Sequence, residues 1–291
     1  MANAIQLSKN YVPNLDEVYA AASVTAVLDS DASVAKQGAN ANEIVIPKLS
    51  IDGLADYSRK SGYTKGDVKL EYETVKFNYD RGRKFEVDTM DNEETAEVAF
   101  GRLAGEFIRT KVAPEADAFT FAQLAGTEGI SKVETGVTLA DGNEVMAAIK
   151  VANDQMDDDE VPEEDRYLFI TPTNLSAIKA LDTTKSRELL DGFKQIIKVP
   201  KTRFYTAIDM LDGKSEGEEA GHYKKADAGK EINFMIVHKG AIMKFNKHTA
   251  SNIIRPEDNQ NSDGYIQKYR KYGLVDVYEN KTAGIYLHHK A

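Results

Sequence analysis

Residues 91–126, DNEETAEVAFGRLAGEFIRTKVAPEADAFTFAQLAG, carry the strongest helical pattern in the chain. Their apolar side chains recur three or four residues apart, as one face of a helix requires, at Phe100, Leu103, Ala104, Phe107 and Ile108. Asp91 or Asn92 is predicted to cap the start. Pro114 lacks the amide hydrogen of a helix interior, so we expect a kink or restart there before the helix ends at Gly126. A helix of roughly 50 Å is longer than a compact core requires.

The segment before this helix, residues 43–90, predicts a long hairpin-like excursion. A strand pattern begins at residues 44–47 (IVIP), and the polar, glycine-punctuated segment 52–67 (DGLADYSRKSGYTKGD) interrupts it. Such a tip has too few apolar residues to build a core of its own. Because a two-stranded ribbon is only marginally stable alone in water, we expect other chains to cover it.

The strand pattern that follows the tip changes its alternation part-way. One apolar set is Val68, Leu70 and Tyr72, and a second set of opposite parity is Val75, Phe77 and Tyr79. The change of parity predicts a bulge or bend at residues 73–74. Residues 80–83 (DRGR) are predicted to form a turn, followed by a strand that contains Phe85 and Val87.

The two flanks of the chain differ in character. Residues 1–42 are small and polar and predict an extended arm, whose one helical candidate, Leu15 to Leu28, has too few large apolar residues to persist without a partner surface. After the long helix the pattern is mixed α/β. A helix over residues 144–156, a buried strand at residues 166–170 (RYLFI) and a helix through Leu181 are predicted. Further strands are predicted at residues 195–199, 232–239, 241–245, 265–272, 274–278 and 284–288.

Composition and motifs exclude several kinds of chemistry. The chain has no cysteine, so disulfides and thiolate metal sites are impossible. The nucleotide-binding, serine-hydrolase and zinc-protease signatures are missing, and we predict no catalytic, cofactor or metal site. The pair His288-His289 lacks metal-ligand spacing and is predicted to be the polar end of a terminal strand. No apolar run approaches the ~20 residues that span a bilayer.

The net charge is −10, and the charged residues are unevenly distributed along the chain. Residues 91–165 contain 19 acidic and 5 basic side chains, whereas residues 56–86 contain 8 basic and 6 acidic ones. A strongly acidic chain binds nucleic-acid phosphates poorly, because that affinity comes mostly from lysine and arginine contacts. We therefore expect any relation to DNA to be containment, without sequence-specific binding.

The order of these parts resembles the coat proteins of tailed bacteriophages with the Hong-Kong-97-like (HK97-like) fold. The resemblance spans nearly the whole chain and is carried by residues 53–57 (GLADY), 94–119 (ETAEVAFGRLAGEFIRTKVAPEADAF), 166–172 (RYLFITP) and 276–290 (DVYENKTAGIYLHHK). It implies the α+β fold class, with an N-terminal arm, an extended β-hairpin loop, a long spine helix and a mixed α/β axial domain.

The resemblance also implies a division of the chain. The arm would be residues 1–42, the extended loop 43–90, the peripheral domain with its spine helix 91–133 and 241–291, and the axial domain 134–240. Many similar coats begin with a longer scaffolding segment, so either the chain is mature or its scaffold is a separate protein.

The function implied is that of a structural major capsid protein and not of an enzyme. Copies would assemble into pentamers and hexamers of an icosahedral shell that encloses a double-stranded DNA genome in the virion, after assembly in the bacterial cytoplasm. A separate scaffolding protein and a portal would be further partners. Two alternatives remain open: an encapsulin-like nanocompartment shell around a cargo enzyme, and a soluble α/β enzyme.

Contacts between adjacent copies are predicted from the uneven charge. The basic side chains are Arg59, Lys60, Lys65, Arg81 and Arg83, and their acidic partners are Glu93, Glu94 and Glu97. Some similar coats join a loop lysine to a neighbour's asparagine covalently, and Lys60, Lys65 and Asn280 are the candidates here. Plain charge pairing is the simpler interpretation of these lysines.

Overall fold

The computed structural model describes residues 23–30, 36–37, 43–60, 62–94 and 103–291. Most of the helix predicted at Leu15 to Leu28 lies outside these residues. Its last part, Ala26–Leu28, is a 3₁₀ turn instead of an α-helix.

Strands and helices follow one another in mixed order. The strands are β1 (Lys36–Gln37), β2 (Glu43–Ile51), β3 (Val68–Lys76), β4 (Tyr79–Asp88), β5 (Ser131–Lys132), β6 (Arg166–Ile170), β7 (Gln195–Lys198), β8 (Ile208–Met210), β9 (Tyr223–Lys225), β10 (Ile232–His238), β11 (Ile242–Ile254), β12 (Gly264–Val277) and β13 (Ile285–His289). The helices are α1 (Thr89–Glu94), α2 (Leu103–Phe107), α3 (Ala113–Gly126), α4 (Gly142–Asp158), α5 (Pro172–Leu181) and α6 (Thr184–Asp191).

The long helix is irregular at the predicted place. Between α2 and α3, residues Ile108–Val112 form a π-helical segment directly before Pro114. Since proline cannot donate to the carbonyl four residues earlier, a wider turn there accommodates the missing hydrogen bond. The predicted end at Gly126 is confirmed. The predicted cap at Asp91 or Asn92 is wrong, because helix α1 begins at Thr89 and the Asp88 carboxylate accepts the backbone amide hydrogen of Met90.

A five-stranded sheet, in the order β5-β13-β10-β6-β7, forms the α/β part of the molecule. Helices α4 and α5 cover one face, where Ile149 and Ile178 are fully buried. The other face packs against α3 through Phe121 and Phe169, whose rings meet edge to face. Strand β6 is buried at every position because both faces of the sheet are covered.

The terminal strand belongs to this sheet. Strand β13 pairs with β10 on one side and with β5 on the other. The assignment of residues 241–291 to a peripheral domain stays a prediction, and within that range β13 pairs with strands of the five-stranded sheet. Pairing partners so distant in sequence leave no local pattern by which they can be recognised.

Strands β11, β12 and β4 form a second sheet. The strands predicted at residues 265–272 and 274–278 are one continuous strand, β12. The turn predicted at residues 80–83 is also wrong, since β4 runs through them in register with β12. Gly82 allows the backbones of β4 and β12 to approach closely, because a Cβ there would lie 2.8 Å from the carbonyl oxygen of Tyr269.

Candidate assembly surface

The hairpin β2–β3 is uninterrupted. Its nine residue pairs run in register from Glu43 opposite Lys76 to Ile51 opposite Val68. The bulge predicted at residues 73–74 is therefore absent. Because side chains alternate between the faces of a strand, the change of parity moves the apolar residues from one face of the ribbon to the other.

The half of the hairpin nearest the body, residues 43–46 and 73–76, is called the proximal half. Its apolar side chains are Ile44, Ile46 and Val75, which are buried against Met243, Phe245 and Leu274 of β11 and β12. The proximal half is thus held by the core of its own chain.

The outer half, residues 47–51 and 68–72, is called the distal half, and residues 52–67 are its tip. Its cross-strand pairs Leu49–Leu70 and Ile51–Val68 lie on the face opposite to Ile46. These four side chains are 54–68% exposed. Of the thirteen large hydrophobic side chains that are exposed in the described part of the chain, eight lie between residues 49 and 72. An apolar patch of this kind is typical of a protein–protein interface.

The other face of the distal half is polar and is turned towards the body. The Lys48 ammonium donates to the Glu279 carboxylate at 2.6 Å, in the turn that follows β12. Opposite Lys48 lies Glu71, and a hydrogen bond from Lys69 lowers the pKa of the Glu71 carboxyl. The exposed apolar face therefore points away from the chain that carries it.

The basic residues predicted from the sequence occupy two different environments. Arg59, Lys60 and Lys65 are exposed in the tip. Arg81 and Arg83 lie on β4 and bind atoms of their own chain. Asn280 is exposed in the turn Glu279–Gly284. Of the acidic partners, Glu93 and Glu94 belong to α1, whereas Glu97 lies outside the described residues.

Arg81 is held by a buried carboxylate. Its Nε donates to Glu115 Oε1 at 2.8 Å, and its terminal nitrogen donates to the carbonyl of Leu211 at 2.8 Å. Burial favours the neutral form of Glu115, but His222 and Arg81 outweigh it and hold the pKa of that carboxyl below its ordinary value. Arg83 donates to the carbonyl of Glu219 at 2.9 Å. These two arginines tie β4 to the 211–222 loop, and their contacts with a neighbouring copy stay a prediction.

A cleft of about 480 Å³ lies beside this contact, between α2, β4, β12 and the 211–222 loop. Phe85, Phe107 and Tyr269 give it apolar walls, and Lys271 also lines it. Burial lowers the pKa of Lys271. Among the residues with a described position, no group of three potential metal ligands occurs, here or elsewhere.

His288 differs from the polar strand end that the sequence predicts. It is only 3% exposed, its ring stacks on Phe234, and its Nδ1 lies 3.1 Å from Nδ2 of Asn233. Burial, with the adjacent His289, lowers the pKa of His288 to about 4. It is a neutral core histidine.

Comparison with solved structures places this arrangement among known folds. The mature capsid of bacteriophage PhiM1 matches with a TM-score of 0.67 at 14% identity, covering 98% of this chain and 92% of that one. The chain has the HK97-like coat fold. The capsid of cyanophage P-SCSP1u matches with a TM-score of 0.66 at 14% identity, over 98% and 93% of the two chains.

A virus-like particle from Pyrococcus furiosus matches with a TM-score of 0.53 at 12% identity, over 85% and 86% of the chains. No family model and no curated protein sequence matches the chain. The predicted α+β coat fold is confirmed. In the part of the chain that the structure describes, none of the helices combines the length and the hydrophobicity needed to cross a bilayer.

Proposed function

We propose that the chain is a major capsid protein whose copies assemble into pentamers and hexamers of an icosahedral shell. The observation that carries the proposal is the distal half of the hairpin, with an apolar face turned away from its own body. Burial of apolar surface yields about 25 cal/mol per Å², so leaving this face in water forgoes several kcal/mol. Contact with a second copy buries this face and recovers that free energy. A closed symmetric shell repeats the contact for every copy.

The proposed role is structural, and the enclosed cargo is double-stranded DNA. With a net charge of −10, the chain encloses DNA without sequence-specific contacts. The protein would be located in the virion, after assembly in the bacterial cytoplasm with a separate scaffolding protein and a portal. Arg59, Lys60 and Lys65 of the tip remain proposed contacts to acidic surface that includes Glu93, Glu94 and Glu97 of an adjacent copy.

An encapsulin-like nanocompartment is the second candidate. It is supported by the likeness to the Pyrococcus furiosus particle, which has a lower TM-score than the two phage capsids. The same hairpin contact would close either shell. The two candidates differ in what the shell encloses.

Electron microscopy of the purified protein tests the proposal. The full chain is expressed alone and, in parallel, with the scaffolding protein of its own genome, and fast-sedimenting material is imaged. Closed, roughly spherical particles are expected from at least one preparation. Monomers alone in both preparations would contradict the proposal. Nuclease-protected double-stranded DNA in native particles supports the capsid, whereas a co-purifying enzyme supports the nanocompartment.

A further inference from the structure

A buried carboxylate on the spine helix holds the segment at residues 23–30. Asp117 of α3 is fully buried. Its Oδ1 accepts hydrogen bonds from the Ser23 hydroxyl at 2.7 Å and from the Thr25 amide and hydroxyl at 3.1 and 2.8 Å. Its Oδ2 accepts from the Val24 amide at 3.1 Å and from Arg203 at 2.9 Å. Both oxygens of the carboxylate are therefore engaged by the arm.

A buried cation on another element also holds this segment. The Lys244 ammonium of β11 donates to the Thr25 carbonyl at 2.7 Å and lies 2.9 Å from the Asp29 carboxylate. Between Thr25 and Asp29 the segment is held by apolar packing as well, since Leu28 is fully buried in the main core.

These contacts join parts of the chain that are distant in sequence. Asp117 belongs to the spine helix, Lys244 to the second sheet, and Arg203 to the turn that follows β7. Removing one partner of a buried charge pair leaves the other charge unpaired, which is strongly unfavourable. Displacing residues 23–30 from this place would therefore leave buried charged groups without these hydrogen bonds.

We propose that Asp117 is the positioning residue of the N-terminal arm. Its carboxylate fixes residues 23–30 at the junction of helix and sheets, so that the preceding residues leave every copy from the same point. Because the arm starts from a fixed point, it loses less conformational entropy when it contacts a neighbour. The structural part of this inference stands on the contacts above, and its consequence for assembly rests on the proposed function.

The absence of cysteine allows a single probe to test the positioning role. Ala26 is exposed in the anchored segment, and Ala26→Cys places one nitroxide label there. In Asp117→Asn the amide keeps one acceptor oxygen, so at least two of the five hydrogen bonds are lost. We expect the spectrum of the unassembled subunit to change from one immobilised component to a mostly mobile one, and the yield of closed shells to fall severalfold.

Glu115→Gln is the matched control. It neutralises another buried carboxylate of α3 that binds Arg81 instead of the arm, so the label on Ala26 should stay immobilised. A third variant, Asp117→Asn with Arg203→Met, removes the buried cation that Asp117 neutralises. It should recover much of the lost thermal stability while the label stays mobile, because one of the two arm amides that Asp117 binds, of Val24 or Thr25, still lacks its acceptor.

Two results would overturn the inference: an immobilised label in folded Asp117→Asn, or equal release by Glu115→Gln. Failure of the unmodified protein to form shells would instead contradict the proposed function. In that case the label in the unassembled subunit still decides whether Asp117 fixes the arm.

Discussion

The proximal and distal halves of the hairpin β2–β3 share one ribbon and one register but differ in what covers them. Ile46 in the proximal half is 7% exposed, whereas Ile51, five residues further along the same strand, is 65% exposed. The proximal half is stabilised by the core of its own chain. The distal half has equally apolar residues on the opposite face and no cover from that core.

This difference separates folding from assembly within a single structural element. Substitutions in the proximal half should act on the free energy of unfolding of the subunit. Substitutions in the distal half should act on association and leave the subunit stable. The parity change at residues 73–74 marks the boundary between the two effects.

The same substitution at two positions of β2 gives the largest expected contrast in stability. Ile46→Ala should lower the free energy of unfolding by about 3 kcal/mol, because it leaves a cavity against Phe245. Ile51→Ala should change it by less than about 0.5 kcal/mol. Urea unfolding of the unassembled subunits measures both. Equal losses would show that the distal half is also part of the folded core.

Acid offers a second way to destabilise the body without acting on the distal face. The pKa of His288 is about 4 in the folded chain, below its ordinary value of 6.5, so the unfolded chain takes up the proton first. Its contribution to stability is complete above pH 6.5 and is lost as the pH falls from there towards 4. Between pH 7 and pH 5 we expect the free energy of unfolding to fall by about 2 kcal/mol because of this group.

A histidine variant isolates that contribution in urea unfolding. His288→Gln should remove it from the pH dependence. Ile51→Ala should show the same dependence as the unmodified chain. An identical acid response in His288→Gln and in the unmodified protein would refute the assignment.

The charges of the tip should have the smallest effect. Exposed ion pairs contribute about 0–1 kcal/mol each and weaken with salt. A triple variant, Arg59→Gln, Lys60→Gln and Lys65→Gln, should therefore reduce the salt dependence of assembly while retaining shells at low ionic strength. Light scattering between low and high salt measures this. Assembly of the unmodified protein that stays flat across that range would exclude a role for these charges.

Periodicity predicts the local elements of this fold well. The long helix with its irregularity before Pro114, the helix α4 and the buried strand β6 all follow from spacing that neighbouring residues impose on one another. The change of parity among the apolar residues of β3 also indicated the position of the assembly surface. A change of parity can produce either a bulge or a change of face, and only the pairing with β2 distinguishes them.

Long-range partners were beyond the reach of sequence patterns. The pairing of Arg81 with Glu115, and of Asp117 with the arm, joins residues that are separated by 34 and 92 positions or more. Gly82 carried a turn signal because glycine is frequent both in turns and where strands approach closely. The burial of His288 depends on the sheet order, which places the last strand between β5 and β10.

A cross-strand pair on the exposed face tests most directly whether the distal half joins the copies. Leu49→Ser with Leu70→Ser removes two facing side chains of the distal half, and Ser50→Ala with Lys69→Ala is the control pair on its polar face. We predict that the first variant forms no closed particles by electron microscopy, while its free energy of unfolding stays within about 0.5 kcal/mol of the unmodified subunit. The control should assemble normally. Normal shells from Leu49→Ser with Leu70→Ser would contradict the claim that this face joins the copies.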